Sequence, residues 1–431
     1  MNIHEKLLIL GEAARYDASC SSSGSGRQGK RGGFGNGHMA GICHTWAEDG
    51  RCVSLLKVLL SNDCVFDCAY CVNRRSADVK RTSFEPEELA LITEEFYRRN
   101  YIEGLFLSSA VVRDPDTTME LMLRTLKLLR NERRFYGYIH VKVIPGASQE
   151  LVSEIGLLAD RVSVNIELPS EAGLKLLAPQ KTKERIITPM NAIKTLKEQN
   201  REERLAYKNA PLFAPAGQST QMIVGATKDS DRKILTLSSA LYSVYSMKRV
   251  YFSAYVPVGV HPSLPTPDVK VPLRREHRLY QADWLMRFYD FSAEEITEDG
   301  DNLDMDLDPK CAWAVRHPEF FPVDINSAPY SALLRVPGIG VKTAKRIVAA
   351  RRNAKLDIDD LRRLGAVVKR AVFFACFGAR FYGLKRHNTE ILRAELDDSV
   401  LEHRQMTLDE TIPQISVAVP LLSEAAAGGG M

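Results

Sequence analysis

The 431-residue chain has no run of about 18 apolar residues, so its sequence predicts no membrane span. Its first residues lack the charged-then-apolar layout of a secretory signal. The eight cysteines are therefore expected to be metal or redox ligands rather than disulfides, and the protein is expected to be cytoplasmic. A hydrophobic content of 45% and a charged content of 26% indicate an ordinary globular chain of two or three domains.

Three of the cysteines, Cys64, Cys68 and Cys71, are spaced C-x3-C-x2-C, with Tyr70 directly before the third. The chain has no second C-x2-C pair, whereas structural zinc sites usually have two such pairs. Ferredoxin-type spacings supply four thiolates to a [4Fe–4S] cluster, so a set of three leaves one iron without a protein ligand. The spacing therefore predicts a cluster whose open iron binds a small molecule.

From about residue 51 to 260, apolar strand-like runs alternate with helical stretches. This alternation predicts an α/β fold with a parallel sheet and right-handed crossovers, and six units make a partial (β/α)6 barrel. The cysteine segment follows the first strand, at the edge where such folds place their active sites. The predicted strands are 53–60, 104–108, 137–143, 162–167, 220–224 and 250–255, and the predicted helices include 86–100, 117–132, 149–158 and 189–199.

A second motif, Val-Pro-Gly-Ile-Gly-Val-Lys-Thr-Ala-Lys-Arg-Ile at 336–347, lies between two predicted helices. Its glycines permit a tight hairpin that leaves backbone N–H groups uncovered, and these form an anion site with the next helix N-terminus. Residues 331–386 hold 14 Lys/Arg against three acids, which gives +11 and leaves −7 for the rest of the chain. A polyanionic partner is expected, although a solvated helical surface or a turn for protein–protein contacts would explain the same pattern. The candidate nucleic-acid-binding residues are Gly338, Gly340, Lys342, Thr343, Lys345 and Arg346.

The cysteine spacing resembles the signature of the radical S-adenosylmethionine (SAM) enzymes, and the hairpin resembles the helix-hairpin-helix motif of DNA repair and recombination proteins. Over roughly residues 5–385, the chain is similar to a bacterial family of DNA modification/repair radical SAM proteins. The segments 16–24, 41–44, 49–52 and 321–326 also carry this resemblance. The resemblance implies a [4Fe–4S] cluster and SAM as cofactors, with cleavage of SAM to methionine and a 5′-deoxyadenosyl radical. It also implies an electron donor such as flavodoxin or ferredoxin, and a uracil-glycosylase-like partner.

Family position also suggests a SAM pocket. Small residues after the second strand would meet the amino group, polar residues of the fourth would meet the ribose or carboxylate, and a glycine after the fifth would lie near adenine. The chain lacks the Gly-Gly-Glu often found after the second strand, and ordinary strand-end polarity explains the polar residues equally well. Lys181 is either a carboxylate contact or a solvated lysine. The implied cofactor-binding residues are Tyr70, Ser108, Ser109, Asn165, Glu167 and Gly225.

A second metal site is a further candidate, formed by Cys20, Cys43 and Cys52, although their spacing matches no standard pattern. No residue is singled out as catalytic. The predicted domains are an N-terminal helix with a Gly/Ser/Cys-rich segment (1–50), the partial barrel (51–260), a Pro-rich and acidic linker (261–309), an all-helical helix-hairpin-helix domain (310–386) and a partly disordered tail (387–431).

The expected function is reductive cleavage of SAM and action on nucleic acid, with DNA favoured over RNA, in modification or repair. Three alternatives stay open. The chain could modify RNA or tRNA, it could be a non-catalytic Fe–S scaffold that binds nucleic acid, or it could act on a small metabolite and use its hairpin for dimerisation.

Overall fold

The computed structural model describes residues 1–14, 42–46, 52–259, 261–298, 300–383 and 389–397. The chain divides into two compact units, residues 1–303 (unit 1) and 304–431 (unit 2). Among the described residues, no helix is both long enough and apolar enough to cross a membrane.

Unit 1 is built on a seven-stranded sheet whose strands lie in chain order. The strand β1 pairs antiparallel with β2, and every later pair is parallel. The six parallel strands confirm the predicted half-barrel, while the antiparallel β1 is an addition that the sequence analysis did not predict. The strands are β1 (Ile42–Trp46), β2 (Cys52–Leu59), β3 (Gly104–Ser108), β4 (Tyr138–Lys142), β5 (Arg161–Ser163), β6 (Gln218–Val224) and β7 (Arg249–Ala254).

Helices precede, connect and follow these strands. The helix predicted over 149–158 coincides with α4, whereas the one predicted over 189–199 is part of the longer α6. The π-helical turn Leu128–Glu132 extends α3. The helices of unit 1 are α1 (Ile3–Ala13), α2 (Pro86–Arg98), α3 (Pro115–Lys127), α4 (Gln149–Leu158), α5 (Glu171–Leu177), α6 (Lys183–Ala206), α7 (Asp231–Tyr245), α8 (Leu273–Phe288) and α9 (Ala293–Ile296).

Local sequence explains where these elements form. All five positions of β3 are buried, as expected for a central parallel strand that is covered on both faces. The helix α3 begins after Asp114, whose side chain accepts a hydrogen bond from the N–H of Thr117, and Pro115 occupies its first position. Parallel pairing brings the carboxyl ends of β2 to β7 to one edge of the sheet, which is where loops of such folds form a site.

The helix α8 lies in a segment that the sequence analysis assigned to a linker. Leu279, Ala282 and Leu285 are buried at intervals of three residues along it, and the Tyr280 hydroxyl donates to the carbonyl of Phe252 in β7 at 2.8 Å. The prolines between 257 and 272 suggested an extended connector, but the last of them caps this helix at its start. Proline is tolerated there because the first helical N–H groups have no partner within the helix.

Unit 2 is mainly helical, as predicted. Three short strands, β8 (Val323–Asp324), β9 (Ala375–Phe377) and β10 (Arg380–Phe381), add a small sheet that the sequence analysis did not predict. Strands of two or three residues are too short to produce a recognisable alternation of apolar and polar positions. The helices are α10 (Pro309–Arg316), α11 (Tyr330–Arg335), α12 (Val341–Ala350), α13 (Ile358–Arg363), α14 (Val368–Ala371) and α15 (Thr389–Leu396), with a 3-10 turn at Pro318–Phe320.

Candidate functional site

The three spaced cysteines lie on the loop that follows β2, at the carboxyl edge of the sheet. Cys64, Cys68 and Cys71 all line one cavity of about 150 Å³. Cys68 is buried and the other two are half-buried. The loop is fastened by hydrogen bonds from the N–H of Cys71 to the carbonyl of Cys68, at 2.9 Å, and from the N–H of Ala69 to the carbonyl of Leu177, at 2.7 Å.

The guanidinium group of Arg81 holds the same loop through hydrogen bonds to its backbone. Its Nη1 donates to the carbonyls of Asn62 and Asn73 at 2.5 and 2.9 Å. Its Nη2 donates to the carbonyls of Arg74 and Ala77 at 2.7 and 2.9 Å. Sequence reasoning missed Arg81, because its partners are backbone carbonyls and no residue pattern encodes them. The planar five-donor fork of arginine is suited to bridging several acceptors at once.

Burial sets the state of the thiols. It raises the pKa of Cys68, and burial followed by the neighbouring Cys68 raises the pKa of Cys71 to about 12. Both groups are therefore thiols at neutral pH in the metal-free protein, and iron must displace their protons to bind.

The donor set fits a [4Fe–4S] cluster. In the part of the chain that the structure describes, no group of three or more His, Cys, Asp or Glu residues is placed to hold one metal ion. A cluster does not require such convergence, because each of the three thiolates binds a different iron. Three cysteines around one cavity thus suit a cluster with one open iron better than they suit a single zinc ion.

A charged pair lines the same cavity as the cysteines. The Nζ of Lys181 lies 2.8 Å from Oε1 of Glu167, and their side chains are only 16% and 6% exposed. Burial opposes it, but the Glu167 carboxylate raises the pKa of Lys181 well above its usual value. Glu167 has a φ of +64°, which is a strained conformation for a residue with a side chain. A buried ion pair beside a cavity, with backbone strain at one of its residues, is typical of a functional site.

Tyr70 lies beside this pair. Its ring centroid is 6.0 Å from Nζ of Lys181. Its hydroxyl is buried, makes no hydrogen bond of good geometry to any residue that the structure describes, and interacts with the Cys68 thiol. Tyr70 therefore lies beside both the cysteines and the charged pair.

Of the other four residues predicted for the pocket, two line the cavity and two do not. Ser108 and Ser109 line the cavity. Asn165 does not line it; its amide donates to Oε1 of Gln221 at 3.3 Å, and it is Gln221 that reaches the cavity. Gly225 is not part of the lining either. It has a φ of +87°, and a Cβ there would lie 2.7 Å from Cγ of Pro272, so backbone shape and packing account for this glycine.

The proposed second metal site falls largely outside the described residues. Cys20 lies outside them, and the side chain of Cys52 is not among those described. Cys43 is buried and packs against Leu55 and Phe106 in the core of unit 1.

In unit 2, the glycine hairpin connects α11 to α12. Gly338 has a φ of +82°, and a Cβ there would lie 2.4 Å from the carbonyl oxygen of Val367, so only glycine fits. Gly340 is the N-cap of α12, and no side chain caps this helix. Its first N–H groups are therefore available to an anion.

The basic residues of the hairpin divide into two kinds. Lys342 and Lys345 are exposed and form no ion pair with any described residue. Arg346 is exposed too, but its Nη1 donates to the carbonyl of Leu364 at 3.2 Å. Thr343 is buried and donates to the carbonyl of Gly365 at 3.1 Å, so it fastens the neighbouring loop instead of facing solvent.

Comparison with known proteins gives two family matches. Residues 58–205 match the Radical SAM superfamily, and residues 320–367 match the helix-hairpin-helix motif. The chain thus contains a radical SAM domain and a helix-hairpin-helix motif. The radical SAM domain indicates an enzyme, and the cofactors of the Radical SAM superfamily are a [4Fe–4S] cluster and SAM. No curated protein matches the chain.

Similar solved structures include two of HydG, a maturase of the [FeFe]-hydrogenase. The first has 14% identity and a TM-score of 0.39 over 53% of this chain and 48% of that one. The second, from Carboxydothermus hydrogenoformans, has 13% identity and a TM-score of 0.41 over 53% and 50% of the two chains. The chain thus spans about half the length of these structures.

Proposed function

We propose that this enzyme uses its cluster and SAM to modify nucleic acid, with DNA as the preferred polymer, in a modification or repair reaction. One observation carries the proposal. A chain with a radical SAM domain also has a glycine hairpin whose uncapped helix N-terminus is flanked by the exposed, unpaired Lys342 and Lys345.

The three loop cysteines hold the cluster in this proposal. When bound, the cluster and SAM together supply one-electron cleavage of the sulfonium and a 5′-deoxyadenosyl radical that abstracts hydrogen from a substrate. The residues of the chain bind the cofactors, orient them and shield the cavity from water. Arg81 keeps the cysteine loop in shape, and the half-barrel walls exclude water from the cavity.

The cavity that the cysteines line would also hold SAM. Lys181 would offer an ammonium to the SAM carboxylate, and Glu167 would accept hydrogen bonds from the ribose or the amino group. Ser108 and Ser109 line the same cavity and would supply hydroxyls. Tyr70 would contact the adenine. Asn165 acts indirectly by orienting Gln221.

The hairpin of unit 2 grips the phosphate backbone. The uncapped N–H groups of α12 point at a phosphate oxygen, and Lys342 and Lys345 add charge around it. The charge of +11 over residues 331–386 extends this cationic surface. Phosphate contacts position the polymer without reading its sequence, so the reacting base or sugar is chosen elsewhere. A base in a duplex must leave the stack to reach an enclosed radical.

The proposed partners follow from this setting. An external electron donor such as flavodoxin or ferredoxin reduces the cluster, and a uracil-glycosylase-like protein shares the repair substrate. The resemblance described under Sequence analysis supports the choice of DNA over RNA.

Anaerobic binding assays test the proposal. Fluorescence anisotropy would compare duplex DNA, single-stranded DNA and tRNA across a salt series. The double variant Lys342→Glu/Lys345→Glu should bind DNA at least tenfold more weakly. Its plot of log affinity against log salt should be shallower by about 2, because each lost phosphate contact removes about 0.9.

The matched control is Lys183→Glu/Lys208→Glu, which reverses two exposed lysines of unit 1. It should bind DNA like the wild type. Equal affinities for the hairpin variant and the wild type would refute a nucleic-acid role for the hairpin. A strong preference for tRNA would instead identify an RNA-modifying enzyme.

A further inference from the structure

A buried lysine of unit 2 contacts the backbone of the glycine hairpin. Lys310, on the first turn of α10, is only 8% exposed. Its Nζ donates to the carbonyl oxygen of Ile339 at 2.7 Å. Ile339 is the residue between the two hairpin glycines. Lys310 itself lies ten residues before the segment that matches the helix-hairpin-helix motif, 320–367.

Burial of the Lys310 amine costs folding free energy. Burial lowers the pKa of Lys310 to about 7, and the nearby Asp308 carboxylate only partly opposes that effect. The other titratable groups that act on the amine are Cys311 and Arg335. A methionine of similar length would fill the same space without burying an amine, but it would leave the carbonyl of the buried Ile339 without its donor. The lysine therefore serves the hairpin carbonyl and not only the packing around it.

The hydrogen bond from Lys310 fixes the orientation of a whole peptide unit. In a trans peptide the C=O and the following N–H point in opposite directions. The carbonyl of Ile339 and the N–H of Gly340 belong to the same peptide unit. Because Lys310 holds that carbonyl toward the interior, the N–H of Gly340 points away from it. This N–H has no hydrogen-bond partner among the described residues, and Gly340 is the N-cap of α12.

A second contact also holds the hairpin. The N–H of Val367 donates to the carbonyl of Gly338 at 2.9 Å, so the carbonyls of Gly338 and Ile339 both accept hydrogen bonds from other parts of unit 2. Nη1 of Arg370 lies 3.0 Å from Oδ2 of Asp308, whose other oxygen accepts the N–H of Lys310. The start of α10 thus contacts both the glycine hairpin and the segment around α14.

We infer that Lys310 is a positioning residue for phosphate binding: it locks the Ile339–Gly340 peptide so that the Gly340 N–H faces the nucleic-acid backbone. This inference rests on the proposed function of the hairpin. Lys310 does not touch the phosphate. It sets the orientation of a donor that does, so its loss weakens the grip without removing a surface charge.

The test uses the full-length, cluster-loaded enzyme and compares Lys310→Met with Lys342→Met. Duplex-DNA affinity is measured across a salt series, and thermal unfolding is followed in parallel. Lys310→Met should lower the affinity about 5- to 10-fold, the scale of one lost hydrogen bond. Its salt slope should equal that of the wild type. Its unfolding midpoint should change little, because relief of the buried amine offsets the loss of the donor to the Ile339 carbonyl. Lys342→Met should instead reduce the slope by about 0.9.

Lys310→Gln keeps a donor but is one bond shorter, so it should retain part of the affinity that Lys310→Met loses. Wild-type affinity in Lys310→Met, together with weakened binding in Lys342→Met, would overturn the inference and leave the proposed function standing. Wild-type affinity in both would remove the proposed function as well. If Lys310→Met unfolds too readily to assay, Lys310→Gln decides: lower affinity with a wild-type salt slope supports the positioning role, whereas a slope reduced by about 0.9 would show that Lys310 itself contacts phosphate and would contradict it.

Discussion

Replacing Arg81 by methionine should release the cysteine loop. The guanidinium makes four hydrogen bonds, at 2.5 to 2.9 Å, to carbonyls at positions 62, 73, 74 and 77. Three of these carbonyls lie two to six residues after Cys71 in the chain, and the fourth lies two residues before Cys64. The side chain therefore joins both ends of the cluster loop, and its removal should let the two ends separate.

The size of the effect follows from the hydrogen bonds. A hydrogen bond to a charged group contributes about 1.5 to 3 kcal/mol. Four such bonds from one group are not additive, and Arg81 is half-buried, so water can reach some of the released carbonyls. We therefore expect Arg81→Met to lower the free energy of unfolding by about 2 to 4 kcal/mol.

Anaerobic denaturation and iron analysis measure this effect. Arg81→Met should unfold at a lower denaturant concentration and keep less iron after desalting, while Arg81→Lys, which keeps the charge but not the fork, should be intermediate. The control is Arg75→Met, an exposed arginine on the same loop, which should behave like the wild type. Wild-type unfolding and full iron content in Arg81→Met would refute the reasoning.

Two further predictions concern unit 2. Gly338→Ala should lower the free energy of unfolding by about 3 kcal/mol or more, because its Cβ would lie 2.4 Å from the carbonyl oxygen of Val367. The control Gly378→Ala is also at positive φ but in open space, so it should cost only about 1 kcal/mol. Equal losses of unfolding free energy in denaturation would contradict this prediction. Burial opposes it, but hydrogen bonds from three donors hold the pKa of Asp324 below its usual value. Asp324→Asn should therefore cost about 1 to 2 kcal/mol at pH 7. This gap should begin to close as pH falls below about 4, the usual pKa of an aspartate, and should disappear once the folded-state carboxylate is protonated; a gap that did not narrow between about pH 4 and pH 2 would exclude this cause.

The cysteine loop and the glycine hairpin were predictable because short, ordered segments carry them. The spacing of Cys64, Cys68 and Cys71 predicts the cluster, and glycine is the residue that most readily adopts the positive φ found at Gly338. The order of the parallel strands was predictable too, because strands and helices alternate with different apolar periods.

The residues that support these motifs could not be predicted in the same way. Arg81 and Lys310 bond to backbone carbonyls that are close only after folding. The pairing of Lys181 with Glu167 joins side chains 14 positions apart on either side of α5. Asn165 was expected in the pocket because family position put it at the end of the predicted fourth strand, 162–167. The observed strand β5 ends earlier, at Ser163, and the amide of Asn165 donates to Gln221. Such contacts depend on tertiary geometry that a local pattern does not contain.

The central claim is that SAM cleavage in unit 1 serves a nucleic-acid substrate gripped by unit 2. The most direct measurement is 5′-deoxyadenosine formation by the reconstituted, dithionite-reduced enzyme, with and without duplex DNA. Wild type should form the product, Cys68→Ala should form none, and DNA should accelerate the wild type but not Lys342→Glu/Lys345→Glu. A wild-type rate that neither DNA nor RNA changes would contradict the account.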